Sequence, residues 1–356
     1  MIDTLRKWYD RYLTREDSVV LLLIIISTFL SLWLLGDVLA PILIAIVIAY
    51  LMQGAADTFK TWGMSLALSL TVSVLLFVGA FVAFTVGLAP LVWGQLEGLV
   101  REVPQMTQQV QALLNSLFER YPSLVDSTQL NELLSSLQAT AASMGQRIVG
   151  FGLSSIPGVL TFAIYLVLIP LLVFFFVKDQ EHIMAWMLSF LPKDRSALDD
   201  IGRQMNLQIA KYVRGKGIEI VIVGAVSYVA FAWFDLNYTA LLALLVGLSV
   251  IVPYVGATLV TVPVVLVALL QFGITTDFYW VVGLYLVIQI LDGNVLVPVL
   301  FSEAVNLHPV AIIIAILVFG GLWGVWGVFF AIPLATVVNV LLVSWPETYS
   351  GTEKTK

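Results

Sequence analysis

The apolar positions of the chain fall into eight runs, each long enough to form a membrane helix. Because about 20 mostly apolar residues cross the hydrocarbon core as an α-helix, the pattern predicts an all-α polytopic membrane protein with about seven or eight membrane helices. The runs are residues 18–36, 39–56, 64–90, 154–177, 217–234, 239–271, 278–301 and 308–345.

The polar segment 91–150 contains two predicted amphipathic helices, separated by Pro122. In each, leucine and other apolar residues recur at helical spacing and form one stripe. Two alternatives remain open for these stripes: packing on the same protomer or the headgroup surface, or contact between subunits. The stripes consist of Val110, Leu113, Leu114, Leu117 and Phe118, and of Leu130, Leu133, Leu134 and Leu137.

A second polar segment, 178–216, predicts a helix from Asp199 to Lys216 that precedes the span 217–234. Its final basic residues complement the helix dipole and suit anionic headgroups. It is interpreted as a solvated linker, with a regulatory role as the alternative.

The runs 239–271 and 308–345 are too long for one simple crossing, and glycine and proline interrupt each near its middle. They predict either two re-entrant hairpins, related as an inverted repeat of span plus hairpin, or two kinked full-length spans. Hairpin tips that meet near the midplane would form a substrate site. The candidate tip residues are Pro253, Tyr254 and Gly256, and Gly320, Gly321, Gly324 and Gly327.

Composition supports a membrane location, since 60% of the residues are hydrophobic and 11% charged, against about 25% charged in soluble domains. The mean hydropathy is +1.00. The net charge of −6 argues against a nucleic-acid partner. The absence of cysteine excludes disulfides and thiolate metal sites.

Lysine and arginine predict the orientation. The first 15 residues hold four and segment 178–216 holds seven, whereas segment 91–150 holds three. The positive-inside rule therefore predicts a cytoplasmic N-terminus and a cytoplasmic segment 178–216. Three predicted crossings before segment 91–150 would place that segment outside.

Residues 217–353 contain no lysine or arginine, so an acid inside this stretch has no basic partner there. Asp292 lies deep in its run, beside the weak helix formers Gly293 and Asn294 and shortly before Pro298. A helix broken here would present carbonyl, amide and carboxylate oxygens to sodium or a proton. Gln289 is a further candidate ligand, and the alternative is a protonated or capping Asp292.

Other acids of this stretch are less informative. Glu219 is interpreted as an interfacial partner of Lys216. Glu303 and His308 could form a proton-linked pair, or a capped turn at the membrane surface.

Motifs for catalysis are absent: the sequence has no G-x-x-x-x-G-K-[ST], no G-x-S-x-G and no H-E-x-x-H. An enzyme is therefore not expected. We predict no metal site and no cofactor other than a coupling Na⁺ or H⁺.

Several long motifs resemble the autoinducer-2 exporter family: LDGNVLVPVLFSEAVNLHPV, GGLWGVWGVFFAIPLA, IVPYVGA, YVRGKG and YLVLIPLLVFFFVKD. The resemblance extends over nearly the whole chain. It implies an inner-membrane protein that exports a furanone-type signalling molecule or exchanges sodium or lithium for protons, and that forms oligomers, with a pentamer favoured. Family members often have glutamate where this chain has Asp292, which shortens the carboxylate.

The resulting hypothesis is a secondary transporter or permease of the bacterial cytoplasmic membrane. A non-transporting oligomeric scaffold and a passive channel are the alternatives. The predicted segments are three membrane helices in 1–90, an external segment 91–150, a fourth helix in 151–177, a linker 178–216, a transport core 217–345 and a tail 346–356.

Overall fold

The structure, a computed structural model, describes residues 16–120, 156–191, 196–253, 255–301 and 307–339. Within these ranges every regular element is a helix, and no strand occurs. The predicted all-α class is therefore confirmed. Tyr254, Glu303, the stripe at 130–137 and the tail 346–356 lie outside the described residues.

The described helices, numbered in chain order, include two short π-helical segments. They are α1 (Glu16–Thr61), α2 (Leu66–Ala83), the first π segment (Phe84–Leu88), α3 (Ala89–Arg120), α4 (Ile156–Lys178), α5 (Gln180–Leu188), α6 (Ser196–Trp233), α7 (Thr239–Ser249), α8 (Val255–Phe272), α9 (Thr276–Leu291), the second π segment (Asp292–Leu296), α10 (Val297–Phe301), α11 (Pro309–Phe329) and α12 (331–339).

Among the described residues, five helices are long and apolar enough to cross a membrane, or six if the bent pair α4–α5 counts as one span. Two shorter apolar helices, Thr239–Ser249 and Val310–Gly324, accompany them. Large apolar side chains such as Leu75 and Val299 are 64% and 71% exposed. Such exposure suits contact with lipid, because water would penalise it.

Helix α1 corrects one prediction. The runs 18–36 and 39–56 form one helix of 46 residues and not two, and it passes through Pro41. Gly36 does not end a helix. A Cβ there would lie 1.9 Å from Nε1 of Trp323 on α11, so the glycine permits close packing. One continuous helix does not supply two antiparallel crossings, so it does not support the count of three crossings before segment 91–150. The outside placement of that segment stays a prediction.

Two further predicted boundaries are also absent. The third run continues through the first π segment into α3, giving an apolar helix of 41 residues over Leu66–Met106. At 1.5 Å per residue this is about 60 Å, twice the hydrocarbon thickness, so one end extends beyond the bilayer. Helix α6 likewise joins the predicted linker helix to the span 217–234.

Two glycines of α6 lie where neighbouring side chains pack closely against the helix. A Cβ on Gly215 would lie 2.7 Å from the Phe301 ring, and one on Gly217 would lie 2.6 Å from Leu51. Both glycines therefore allow close packing of neighbouring side chains. Backbone hydrogen bonds inside a membrane must be satisfied within the helix, which favours continuation over a break.

The chain forms two compact units. The first comprises Met1–Phe77, Leu166–Gly217 and Val297–Lys356, and the second Val78–Tyr165 and Ile218–Leu296. In the first unit, Tyr212, Val213, Phe301 and Ile332 form a buried cluster. The larger core of the second unit is built from α6, α7, α8 and α9, with Leu99 and Met106 of α3 packed against it.

Both glycine–proline runs break where the sequence predicts. The first forms α7 and α8, which pack against each other on either side of residues 250–254. Helix α7 has 11 residues, about 16 Å, which is half a bilayer core. The second run reverses at Gly324, where φ is 60° and ψ is −137°. Each run therefore folds back on itself, although α8 alone, with 18 residues, is long enough to cross a membrane.

Candidate functional site

A polar stripe follows one face of α9 into the second π segment. Tyr285, Gln289 and Asp292 lie at i, i+4 and i+7, which share one side of a helix. Tyr285 is fully buried, and Nε2 of Gln289 and Oδ1 of Asp292 are buried atoms. Neighbouring Ile290 is 60% exposed. The stripe therefore faces the protein interior, while apolar residues take the outer face.

The stripe is hydrogen-bonded to the first hairpin through Tyr285. The hydroxyls of Tyr285 and Thr261 lie 2.8 Å apart. Thr261 Oγ1 also donates to the Ala257 carbonyl at 2.7 Å, and the Tyr285 hydroxyl lies 3.4 Å from the same oxygen. These bonds attach the inner face of α9 to the first turns of α8, directly after the hairpin turn.

The predicted break at Asp292 is instead a π-helical segment, so this prediction is corrected. The helix remains continuous from Thr276 to Phe301, and residues 292–296 adopt the wider π form. The N–H of Asp292 bonds to the carbonyls of Ile288 and Gln289. Pro298 lacks an N–H and disfavours an ordinary α-helical turn before it. A local π adjustment accommodates a proline within a membrane helix.

The first π segment follows the same rule. Phe84–Leu88 precedes Pro90 by the interval at which Asp292–Leu296 precedes Pro298. The π form at Asp292 is thus explained by its proline. The carboxylate on its inner face is the feature that the first segment lacks.

The predicted ligand residues lie on two different faces of the helix that runs from Thr276 to Phe301. Gly293, Asn294 and Pro298 are exposed, whereas the buried atoms of Gln289 and Asp292 lie on the inner face. Nδ2 of Asn294 donates to the Ile290 carbonyl at 2.9 Å, within its own helix. A single cage formed by Asp292 and Asn294 is therefore not assembled here. No group of three or more potential metal-binding side chains occurs in the described parts of the chain.

His308 is exposed and lies immediately before α11. Its Nδ1 accepts a hydrogen bond from the N–H of Val310 at 3.3 Å. This contact corresponds to the capped turn considered from the sequence. The predicted pairing with Glu303 concerns a residue outside the described ranges.

The candidate tip residues occupy the two reversals. A Cβ on Gly256 would lie 1.8 Å from the Ser249 carbonyl oxygen, and one on Gly327 would lie 1.8 Å from that of Phe319. Pro253 lies in the turn between α7 and α8. Gly320 abuts Val328, where a Cβ would approach within 2.7 Å, whereas Gly321 has open space.

Glu219 is a candidate that the sequence interpretation missed. Its side chain is 1% exposed within α6, so it is a buried acid, and its interfacial pairing with Lys216 stays a prediction. Intramembrane acids are costly and commonly functional. Its position in a stretch without lysine or arginine could have identified it as a candidate from the sequence. Tyr285 and Thr261 were also missed, although the i, i+4, i+7 spacing of Tyr285, Gln289 and Asp292 is visible in the sequence.

These features define a polytopic α-helical membrane protein with polar groups inside its helix bundle and two glycine-closed hairpins. The sequence model described as AI-2E family transporter matches residues 22–347, and the chain belongs to this family. The protein is accordingly a membrane transporter, which confirms the resemblance seen in its motifs.

Individual relatives agree with the family. The chain is 42% identical over 347 residues to a protein of Escherichia coli (strain K12) that carries the name permease PerM, covering 98% of each chain. It is 26% identical over 313 residues to the Bacillus subtilis (strain 168) protein named transport protein YrrI, covering 87% of this chain and 88% of the relative. A second B. subtilis protein, YueF, is 24% identical over 343 residues, with 93% and 92% coverage.

Proposed function

We propose that this protein is a secondary transporter in which Asp292 binds the coupling proton or cation. The observation that carries the proposal is the buried Oδ1 of Asp292 at the end of an interior polar stripe in a membrane helix. A carboxylate in this setting changes its charge, or binds a cation, more readily than it remains a bare ion.

The composition of the surrounding chain supports this role. Residues 217–353 supply no lysine or arginine that could neutralise Asp292 permanently. A mobile proton or Na⁺ can neutralise the carboxylate reversibly, as a coupling site requires. The polar neighbours Gln289 and Tyr285 offer oxygen atoms on the same helix face, as sodium and hydrogen-bonded carboxylates require.

Glu219 is the second acid that we assign to this function. It is buried in α6, within the same compact unit as Asp292. Burial of an ionised carboxylate is costly, so protonation or cation binding at Glu219 would accompany a change in its surroundings. Such a change is what alternating access produces.

The family resemblance supports the finer assignment. We propose export of a small signalling solute of the autoinducer type, or exchange of Na⁺ or Li⁺ for protons, across the bacterial inner membrane. The basic residues at the start of the chain support a cytoplasmic N-terminus. A homopentamer is the proposed assembly.

The experiment uses the full chain in liposomes that contain a pH-sensitive dye. A pulse of external NaCl or LiCl should change the internal pH through the wild-type protein. Asp292→Asn and Glu219→Gln should each abolish this change, because neither amide exchanges a proton. Asp277→Asn is the matched control, since Asp277 is an exposed acid in the first turn of α9.

Folding is checked separately by thermal unfolding and elution of each variant in detergent. Loss of cation-dependent proton flux in the two buried variants, with normal flux in the control, supports the proposal. Unchanged flux in Asp292→Asn would remove Asp292 from the mechanism. Flux that does not saturate and is not coupled to the gradient of a second ion would identify a passive channel instead.

A further inference from the structure

A polar pocket of about 90 Å³ lies within the second compact unit, away from the stripe on α9. Its walls come from α3, from the loop between α6 and α7, and from the last turns of α8. The polar lining groups used below are Glu102, Gln105, Gln109, Asn237 and Tyr238.

The loop wall is held in one conformation by side chains from both neighbouring helices. Gln271 of α8 accepts from the Asn237 N–H at 2.7 Å and donates to the Asp235 carbonyl at 2.8 Å. Gln95 of α3 accepts from the Leu241 N–H at 2.8 Å. Gln271 thus holds the loop itself, and Gln95 holds the first turn of the helix that follows it. A loop held in this way loses less entropy when a ligand binds.

Tyr238 is placed against α3 at an energetic cost. Its φ of 60° lies in the left-handed region, which costs a non-glycine residue about 1 kcal/mol. Its ring approaches α3 where Gly98 has no side chain, and a Cβ there would lie 3.2 Å from Cε1. Strained backbone retained by its surroundings is frequent at binding sites.

The charge of the lining restricts the ligand. Among the described residues that line the pocket, Glu102 is the only carboxylate, and none is lysine, arginine or histidine. Burial and the neighbouring Glu102 carboxylate raise the pKa of Tyr238 to about 12. The Tyr238 hydroxyl therefore stays neutral at physiological pH, and the pocket carries one negative charge.

The chemistry of these groups favours an organic cation over a metal ion or an anion. Hard cations such as Ca²⁺ need six or more oxygen ligands with several carboxylates, whereas one carboxylate is present. An ammonium group can donate to Glu102 and to the amide oxygens of Gln105 and Gln109, and it can lie over the Tyr238 ring. Met106 and the apolar residues of α8 offer contact to a short carbon chain.

We propose that this pocket binds a small primary ammonium ligand, with Glu102 as the counter-ion and Tyr238 as the aromatic wall. The pocket volume of about 90 Å³ fits an ammonium group with a few carbon atoms, since about three water molecules fill the same volume.

The test is a titration of the full chain in detergent with ethylammonium chloride at constant ionic strength, followed by ligand-observed NMR. Binding should be saturable, and n-propanol, a neutral molecule of similar size, should bind at least tenfold more weakly. Glu102→Gln should weaken ethylammonium binding about tenfold or more, because it removes a charge-assisted hydrogen bond.

Glu97→Gln is the matched control, because Glu97 is another acid of α3 and does not line the pocket. Its binding constant should equal that of the wild type. If Glu102→Gln does not fold, Gln105→Leu replaces it and should weaken binding several-fold. Absent saturation, equal binding of n-propanol, or full affinity in Glu102→Gln would each overturn the proposal. Because the readout is binding and not flux, its failure is distinct from failure of the role proposed for Asp292.

Discussion

In both hairpins a glycine packs directly against a backbone carbonyl oxygen on the other side of the turn. In the first, Gly256 lies against the carbonyl of Ser249, and in the second, Gly327 lies against the carbonyl of Phe319. A Cβ at either glycine would come within 1.8 Å of the oxygen. Close contact between two short helices of a hairpin therefore requires a residue without a side chain at each position.

The hairpins differ in how the backbone reverses. Around the first turn, Ile251 donates to Leu248 at 3.2 Å and Gly256 donates to Val252 at 2.9 Å, so helical bonding is spread across the reversal. The second reversal is concentrated at Gly324, with φ of 60° and ψ of −137°. The described residues of the first turn have ordinary backbone angles, whereas the second turn requires the positive φ of Gly324.

Their supporting contacts differ as well. Thr261 and Tyr285 brace the first hairpin through hydroxyl groups. The second is braced by a stacked pair, Trp323 and Phe330, with ring centroids 6.0 Å apart. Polar bracing places hydrogen-bonding groups beside the Asp292 stripe in one unit, whereas aromatic bracing gives the other hairpin a largely apolar surface.

The largest expected effect is the loss of backbone contact in either hairpin. Gly256→Ala and Gly327→Ala should each destabilise the protein by about 3 kcal/mol or more, because the new methyl group collides with a carbonyl oxygen. Thermal unfolding in detergent measures the change. The controls Gly283→Ala and Gly321→Ala have open space and should be neutral or slightly stabilising. Equal melting temperatures for all four variants would contradict the steric account.

A smaller effect separates the two reversals. Gly324→Ala should cost about 1–3 kcal/mol, because alanine rarely adopts its backbone angles. No collision contributes, since a Cβ at this position meets open space. The measurement is again the melting temperature, with Gly321→Ala as the neighbouring control. A Gly324→Ala variant as stable as the wild type would show that the reversal does not depend on this conformation.

The polar bracing of the first hairpin predicts a cost for removing one hydroxyl. Thr261→Val should destabilise by about 1–2 kcal/mol, because the buried Tyr285 hydroxyl loses its shortest partner. Tyr285→Phe combined with Thr261→Val should cost less than the sum of the single changes. Thr71→Val is the control, since Thr71 Oγ1 bonds to Ala67 within an exposed stretch of α2. Strict additivity would argue against a direct Thr261–Tyr285 interaction.

The smallest effect concerns pH at the base of the first hairpin. The pKa of Tyr238 is raised from 10.0 to about 12, so the folded state favours the neutral phenol. This contribution to stability is present below pH 10 and is lost as the pH rises towards 12. Ultraviolet absorbance of phenolate should show a late-titrating tyrosine that Tyr238→Phe removes. Glu102→Gln should shift that titration to lower pH. An unchanged titration would contradict the contact between Glu102 and Tyr238.

Several elements could be predicted from the sequence because they depend on local chemistry. Long apolar runs indicated membrane helices, and the glycine–proline positions near Pro253 and Gly324 indicated two interruptions, either hairpin turns or kinks. The predicted boundaries near Gly36, Gly215 and Gly217 were wrong. A glycine that ends a helix and a glycine that admits a neighbouring side chain look alike in a sequence, and the packing partner distinguishes them.

The candidate site was recovered in part for a similar reason. Asp292 stood out because an acid in an apolar run is unusual, but its expected convergence with Asn294 assumed a broken helix. The π segment preserves the helix, so Asp292 and Gln289 face inward while Asn294 faces outward. Tyr285 and Thr261 are more than 20 residues apart in the chain, and their bond depends on how α8 packs against α9.

By itself the sequence determined that this protein lies in a membrane and is helical, because apolar residues leave water and a backbone in lipid must satisfy its own hydrogen bonds. Its long motifs determined the family. Only the tertiary structure decided which glycines mark contacts, which side of α9 is polar and that Glu219 is buried. Those properties depend on what each residue touches across the fold, and such contacts arise from helix packing between distant parts of the chain.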